Sequence, residues 1–215
     1  MKNGKLFNMK RYDILNKIIA TKGYKSYLEI GVRDGECFQK IGCENKTGVD
    51  PVKINGSTTH EMTSNDFFDS LDPDTRFDCV FIDGLHIDEQ VYEDVENSLK
   101  FLSEDGIILL HDCNPPTKFH ASETPVFGPP ANGDWNGTVY MALIKLRLYR
   151  KDLTLTTVDT DWGVGIIRKS PSQTLNVFPA DALSWEFFVS NRKEILNLVS
   201  VDEFEENMDS IINMK

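Results

Sequence analysis

Residues 25–35, Lys-Ser-Tyr-Leu-Glu-Ile-Gly-Val-Arg-Asp-Gly, constrain this chain more than any other stretch. Tyr27–Ile30 is a short apolar run of the kind that forms a buried strand. Gly31 and Gly35 follow, and allow a tight turn with close approach of backbone to a ligand. Glu36–Ile41 then reads as the start of a helix. Strand, glycine turn and helix start is how an α/β sheet presents backbone N–H groups to a nucleotide-like group. The remaining residues have to supply the other strands of such a sheet.

They do so in order. Tyr12, Leu15, Ile18 and Ile19 recur at helical spacing, so a lead-in helix is predicted over 10–22, ended by Gly23. Thr47–Asp50 reads as a second strand, stopped by Pro51 with Asp50 at its tip. A short third strand is placed within 52–62, and Ser64 is the expected N-cap of the next helix. Phe77–Ile82 is a clear strand with Asp83 at its end. A helix follows over 88–102, with Val91, Val95, Leu99 and Leu102 on one face and Glu93, Asp94 and Glu96 on a solvated one; Gly106 is expected to break it. Ile107–Leu110 is fully apolar, as in a parallel strand covered on both sides, and leads into His111-Asp112-Cys113-Asn114. Residues 113–137 are rich in proline and glycine and read as a long functional loop. A helix to about Arg150, a hairpin of strands at 153–158 and 163–167, and helices at 184–198 and 201–212 complete the chain.

Alternating strands and helices with a terminal hairpin predict an α/β fold: a doubly wound, mostly parallel, seven-stranded sheet with a C-terminal antiparallel hairpin. No linker divides the chain, so residues 1–215 are expected to form one domain, with a core over 25–170 and a helical tail over 171–215. Ligands of such sheets bind in the crevice at the carboxyl ends of the strands. Glu29–Gly35, Asp50, Asp83 and His111–Asn114 all fall at such ends.

A net charge of -11 argues against nucleic acid as a partner, because a phosphate backbone needs a basic surface. No apolar run approaches the roughly 18 residues that a membrane helix needs, so no membrane partner is expected. Met1–Lys5 is not followed by the apolar stretch of a signal peptide. Cys37, Cys43, Cys79 and Cys113 form no C-x-x-C pair, which suits a reduced, cytoplasmic protein.

Taken together, these residues resemble the class I S-adenosylmethionine-dependent methyltransferases over residues 25–170. The likeness is greatest to a branch of small-molecule O-methyltransferases that includes macrocin-type enzymes. The motif E-x-G-x-x-x-G is present as Glu29, Gly31 and Gly35, with Arg33 inside it. The resemblance implies a Rossmann-like fold and S-adenosylmethionine as cofactor. It places the loop under the methionine part, Asp50 on the ribose hydroxyls, Asp66 on the adenine amino group, and Asp83 beside the donor.

Methyl transfer to oxygen needs acceptor and methyl held together and a proton removed. Two routes fit the rim. In one, Asp83, Asp112 and Asn114 hold a divalent cation, with Mg²⁺ suited to hard oxygen ligands. The metal-dependent relatives carry an Asp-Asn or Asp-Asp pair after the fifth strand, and here Cys113 stands at the pair's second position. In the other, His86 or His111 is the general base beside Asp83; either histidine is also a candidate third ligand. Ordinary structural roles compete with these: Asp83 and Asp112 as turn caps, Asp66 as a first-turn helix acid. Trp135 in the long loop is a candidate cover for the acceptor space. The resemblance implies a small polar acceptor, with a sugar hydroxyl of a glycoside or polysaccharide as the finer reading. The sequence leaves residues 171–215 to pack either on their own subunit or on a neighbour, and a homodimer is the assembly that the second arrangement would give. A binding or assembly protein that keeps the fold without catalysis is the alternative: the intact glycine loop speaks against it, and Cys113 leaves room for it.

Overall fold

The computed structural model describes residues 9–172, 174–175 and 183–213. Eight strands form one sheet: β1 Ser26–Ile30, β2 Asn45–Asp50, β3 His60–Glu61, β4 Phe77–Ile82, β5 Leu102–Leu110, β6 Leu153–Val158, β7 Val164–Lys169 and β8 Leu198–Val199. Their order is β3-β2-β1-β4-β5-β7-β6-β8. β7 pairs antiparallel with both β5 and β6, and the other pairings are parallel. This is the doubly wound sheet with a terminal hairpin that the sequence predicts. The addition is β8, two residues at the edge beside β6, where the sequence suggested only the end of a helix. Among the described residues, seven helices flank the sheet: α1 Arg11–Lys22, α2 Glu36–Lys40, α3 Ser64–Ser70, α4 Asp88–Lys100, α5 Val139–Tyr149, α6 Trp185–Ile195 and α7 Val201–Ile212.

Alternation along the central strands divides the core. Leu28, Ile30, Val80, Ile82, Ile108 and Leu110 point to one face, where Phe67, Val91, Val95, Leu143 and Phe188 cover them. Tyr27, Cys79, Phe81, Ile107 and Leu109 point to the other, under Ile14, Leu15, Ile18, Phe38 and Phe204. Burial on both faces is why these strands read as continuous apolar runs.

Register decides the function-bearing edge. Ile30 pairs with Val49 on one side and Ile82 on the other, and Ile82 pairs with Leu110. The residues that follow, Gly31, Asp50, Asp83 and His111, therefore emerge side by side. Leu110 also pairs with Gly165, so the turn between β6 and β7, residues 159–163, returns to this same edge. Gly31 has φ +87°, and a Cβ there would collide with the backbone carbonyl of Asp83, so only glycine lets the first loop lie against the tip of β4.

Two local expectations are corrected. Gly106 lies inside β5 rather than after a helix: α4 ends at Lys100, and the pairing of β4 with β5 slips between Phe77 and Cys79. The N-cap of α3 is Thr63, not Ser64; its hydroxyl accepts from the Asp66 N–H. The part of the expected tail over 176–182 lies outside the described residues.

Candidate active site

A cavity of about 870 Å³ opens along the carboxyl edge of the sheet. Glu29, Gly31, Arg33, Asp50, Asp83, His86, His111 and Asp112 all line it. The sequence-derived rim is thus one physical site. Three candidates sit off its wall. Gly35 packs beside Ser57 at the N-terminus of α2. Asp66 is exposed and takes the Thr63 hydroxyl at 2.7 Å, as a helix-cap partner. Asn114 turns away: its amide donates to Asp159 at 2.8 Å and its carbonyl accepts from Arg192. The expected grouping of Asn114 with Asp83 and Asp112 is therefore corrected, because the backbone after Cys113 pairs with the β6–β7 turn.

Glu29 lies under the loop and is only 1% exposed. Burial pushes its carboxyl up to about 8, against the opposing hydrogen bond from the Tyr27 hydroxyl. Asp50 ends β2 and accepts backbone N–H groups from Arg33 and Val52, both at 2.8 Å. Arg33, at φ +49°, is held in the left-handed region with that bond. Asp50 thereby ties the glycine loop to the neighbouring strand tip, and a carboxylate with two such bonds still has lone pairs for a ligand's hydroxyls.

Next to these stands a cluster of acids and imidazoles. His86 Nε2 is 3.3 Å from Asp83 Oδ1, and its Nδ1 is 3.4 Å from Asp112 Oδ2 and 2.9 Å from the Trp135 carbonyl. The Trp135 ring stacks on it with centroids 5.1 Å apart. Gly137 makes room for this packing: it has φ +62°, and a Cβ there would strike the His86 carbonyl. Asp83, His86 and Asp112 offer ligand atoms that all lie within 4.8 Å of one another. Two carboxylates and an imidazole in that space fit a divalent cation.

His111 is enclosed by acids. Its Nδ1 is 3.2 Å from both Asp83 Oδ1 and Asp112 Oδ2, and its Nε2 is 3.6 Å from Asp161 Oδ2. Burial alone would lower its pKa; Asp83, Asp112 and Asp161 overcome this and hold it well above the ordinary 6.5. His86 is raised as well, burial again being outweighed by Asp83 and Asp112. Burial likewise opposes ionisation of Asp83, and the facing His111 and His86 hold it well below the usual carboxylate range.

Several residues here were not singled out from sequence. Arg11 opens α1 and lines the cavity, with Nη1 3.0 Å from Asp161 and Nε 3.7 Å from Asp83. Asp161 sits on the β6–β7 turn at φ +47° and also takes Lys10 Nζ at 2.8 Å. Asn136 is buried and donates to Asp112 Oδ1 at 2.7 Å, fixing the carboxylate that faces His86. Asp94, expected on a solvated helix face, is 1% exposed and lines the cavity with Gln90. Its signal was present: Val91, Asp94, Val95 and Ser98 form one buried stripe at helical spacing.

Comparisons with known proteins point the same way. The family described as a methyltransferase domain matches residues 41–113. No curated protein matches the sequence. Among solved structures, a Staphylococcus aureus protein described as a caffeoyl-CoA O-methyltransferase shares 15% identity at a TM-score of 0.55, covering 74% of this chain and 82% of that one. The O-methyltransferase TomG from Streptomyces achromogenes, involved in tomaymycin synthesis and solved with S-adenosylmethionine, shares 14% identity at 0.52, covering 74% and 79%. The methyltransferase PaMTH1 from Podospora anserina, solved with S-adenosylhomocysteine, shares 15% at 0.51, covering 74% and 77%. At these identities the likeness to the solved structures is one of fold.

Proposed function

We propose, from the premise that this chain is a class I S-adenosylmethionine-dependent methyltransferase, that it methylates a hydroxyl of a small polar acceptor. The observation that carries the reading is convergence: Glu29, Asp50, Asp83, His86 and Asp112, drawn from four separate strand ends, line one cavity. A bound donor would be held with its methionine part over Gly31 and Glu29 and its ribose hydroxyls on Asp50. It would supply a methyl group for in-line attack by the acceptor oxygen, the carbon–sulfur electron pair staying on sulfur as S-adenosylhomocysteine leaves.

The hydroxyl proton goes to His86. Both histidines meet Asp83 and Asp112, but His86 is the more open, its side chain 18% exposed against 7%, and stacks on Trp135, whereas His111 is closed in by a third carboxylate, Asp161. A histidine so enclosed is a standing cation and a poor base. Its work is to keep Asp83 ionised, and Asp83 in turn orients His86. A divalent cation would be held by Asp83, Asp112 and His86, and would supply acidification of an acceptor hydroxyl. In a metal-loaded site His86 is a ligand, so the cation and the histidine are alternative means to the same proton.

Trp135 and Trp162 on the cavity wall offer flat apolar faces beside carboxylates. That mixture suits a sugar ring, apolar on its C–H faces and rich in hydroxyls at its edge, and supports a glycoside or polysaccharide acceptor. The 113–137 loop contributes Pro125, Phe127 and Trp135 to the wall without filling the cavity, which favours an enzyme over a non-catalytic binding protein. Among the described residues no helix is long and apolar enough to cross a membrane. A single domain over 1–215, a cytoplasmic location and a homodimer complete the reading. Calorimetric titration with S-adenosylhomocysteine tests its foundation: saturable binding is expected, and a protein that binds neither it nor S-adenosylmethionine is not a methyltransferase.

A further inference from the structure

We infer that Asp94 on α4, and not Asp66, reads the exocyclic amino group of the donor's adenine and so selects the nucleobase. The inference rests on the donor being an adenosyl sulfonium.

The placement follows from the order of the strand tips and helices that line the cavity. Glu29 and Asp83 line it at the tips of β1 and β4, and Asp50 lines it at the tip of β2. Beyond Asp50 the wall continues through Met62, Thr63 and Ser64, after β3, to Gln90 and Asp94 on α4. With the sulfonium at Glu29 and the ribose at Asp50, the base must enter this far end. Its polar groups are those of Thr63, Ser64, Gln90 and Asp94. Asp94 is 1% exposed, and the Gln90 amide donates to its Oδ1 at 3.0 Å. The same amide group reaches Asn65 Oδ1 at 3.1 Å and Ser64 Oγ at 3.3 Å. Gln90 therefore binds the start of α3 to the middle of α4 and fixes the carboxyl between them.

A buried acid is costly unless something compensates it. Burial pushes the Asp94 carboxyl up to about 6, although Ser64 and Gln90 oppose the rise. No cation is paired with it among the described residues. A carboxylate in this state accepts an N–H donor readily, and the amino group of adenine is such a donor. A base carrying a carbonyl at the same position would set oxygen against oxygen. Asp66 is not among the residues that line the cavity, and its exposed carboxylate takes the Thr63 hydroxyl.

The test compares two ligands on the intact chain: S-adenosylhomocysteine and S-inosylhomocysteine, which differ only in amino against carbonyl at that ring position. Dissociation constants are measured by calorimetry for the parent, Asp94→Asn and Asp66→Ala. The parent is expected to favour the adenine compound by about tenfold or more, the worth of a hydrogen bond to a charged group. In Asp94→Asn the side chain keeps its shape and can offer either an oxygen to the amino group or an N–H to the carbonyl. Its preference should fall to within about threefold of unity, while adenine binding survives. Asp66→Ala should keep the parent's preference. Retention of the full preference in Asp94→Asn, its loss in Asp66→Ala, or a parent that binds both compounds equally would overturn the assignment. A parent that binds neither overturns the donor reading, and this inference with it.

Discussion

Nε2 of His111 stands 3.6 Å from Oδ2 of Asp161, a contact between the tip of β5 and the turn joining β6 to β7. Asp161 is in turn bound by Lys10 and Arg11 at the start of α1. The lead-in helix, the hairpin and the rim of the candidate site thus share one set of charges. Burial alone would make Asp161 harder to ionise, but His111, Lys10 and Arg11 hold it well below its ordinary range. Breaking a buried charge set by removing one partner costs more than any single bond in it is worth.

His111→Gln is therefore expected to lose stability, by roughly 3 kcal/mol where the imidazolium is charged in both parent states. The sign with pH follows from the raised pKa. The folded protein holds the proton to higher pH than the unfolded chain, so the stabilisation is complete below 6.5 and is lost as pH rises through the folded value. Urea melts of parent and variant across pH should converge on the alkaline side. A gap that widens with pH would show that His111 is buried neutral.

Replacing His86 addresses the chemistry instead. His86→Gln should leave S-adenosylhomocysteine affinity within about threefold and reduce kcat by about 10² to 10⁴, the usual worth of a general base. In the parent, the acid limb of kcat/KM should lie above pH 6.5, because Asp83 and Asp112 raise the group that must be unprotonated to accept the proton. The limb should vanish in the variant. If His111→Gln abolishes the limb and His86→Gln does not, the roles are reversed.

Chelation separates the two means of deprotonation. If Asp83, His86 and Asp112 hold a cation, dialysis against EDTA should abolish turnover, and Mg²⁺ or Mn²⁺ should restore it. Asn136→Ala should then weaken the metal by about 10- to 100-fold, because Asn136 orients Asp112 without binding the ion. Full turnover in EDTA assigns the proton to His86 alone.

The sheet and its rim were legible in the sequence because they are local facts repeated. The central strands β1, β4 and β5 end in largely apolar runs, followed at the same relative place by Gly31, Asp83 and His111, with Asp50 at the tip of β2. Register then turns separate tips into a row, as Ile30, Val49, Ile82 and Leu110 show. What escaped depends on contacts distant in the chain. Arg11 meets Asp161 across 150 positions, and no spacing rule connects a first helix to a last hairpin. Asn114 looked like a ligand by its place after β5. It is drawn off by the backbone pairing of Cys113 and Asn114 with Gly163 and Trp162. Asp94 was hidden by its acidic neighbours Glu93 and Glu96, although the period of the buried stripe includes it.

Asp50→Ala should weaken S-adenosylhomocysteine by about 2 kcal/mol if two charge-assisted hydrogen bonds to the ribose are lost. The same change frees the Arg33 and Val52 N–H groups, so loss of affinity alone has two causes. A 2′,3′-dideoxy analogue of the ligand distinguishes them. The parent should bind it weakly, and Asp50→Ala should lose little more on going from the natural ligand to the analogue. An equal penalty in both proteins would place the ribose elsewhere.

Glu29 gives the most direct reading of the donor's position. Burial raises its carboxyl to about 8, so at neutral pH it holds a proton that an unfolded glutamate would have lost. By linkage, this group's contribution to stability falls as pH rises from its ordinary 4.5 toward 8. A donor ammonium arriving against Glu29 reverses the balance, because a neighbouring cation favours the carboxylate. Binding near neutral pH should therefore release a proton, approaching one per site. Calorimetry in buffers of different ionisation enthalpy measures that number directly. It should decline toward zero above about pH 9, where Glu29 is ionised beforehand, and should be absent in Glu29→Gln at every pH. Proton uptake, or release that persists unchanged in Glu29→Gln, would mean that the ammonium lies away from the first strand and its glycine loop.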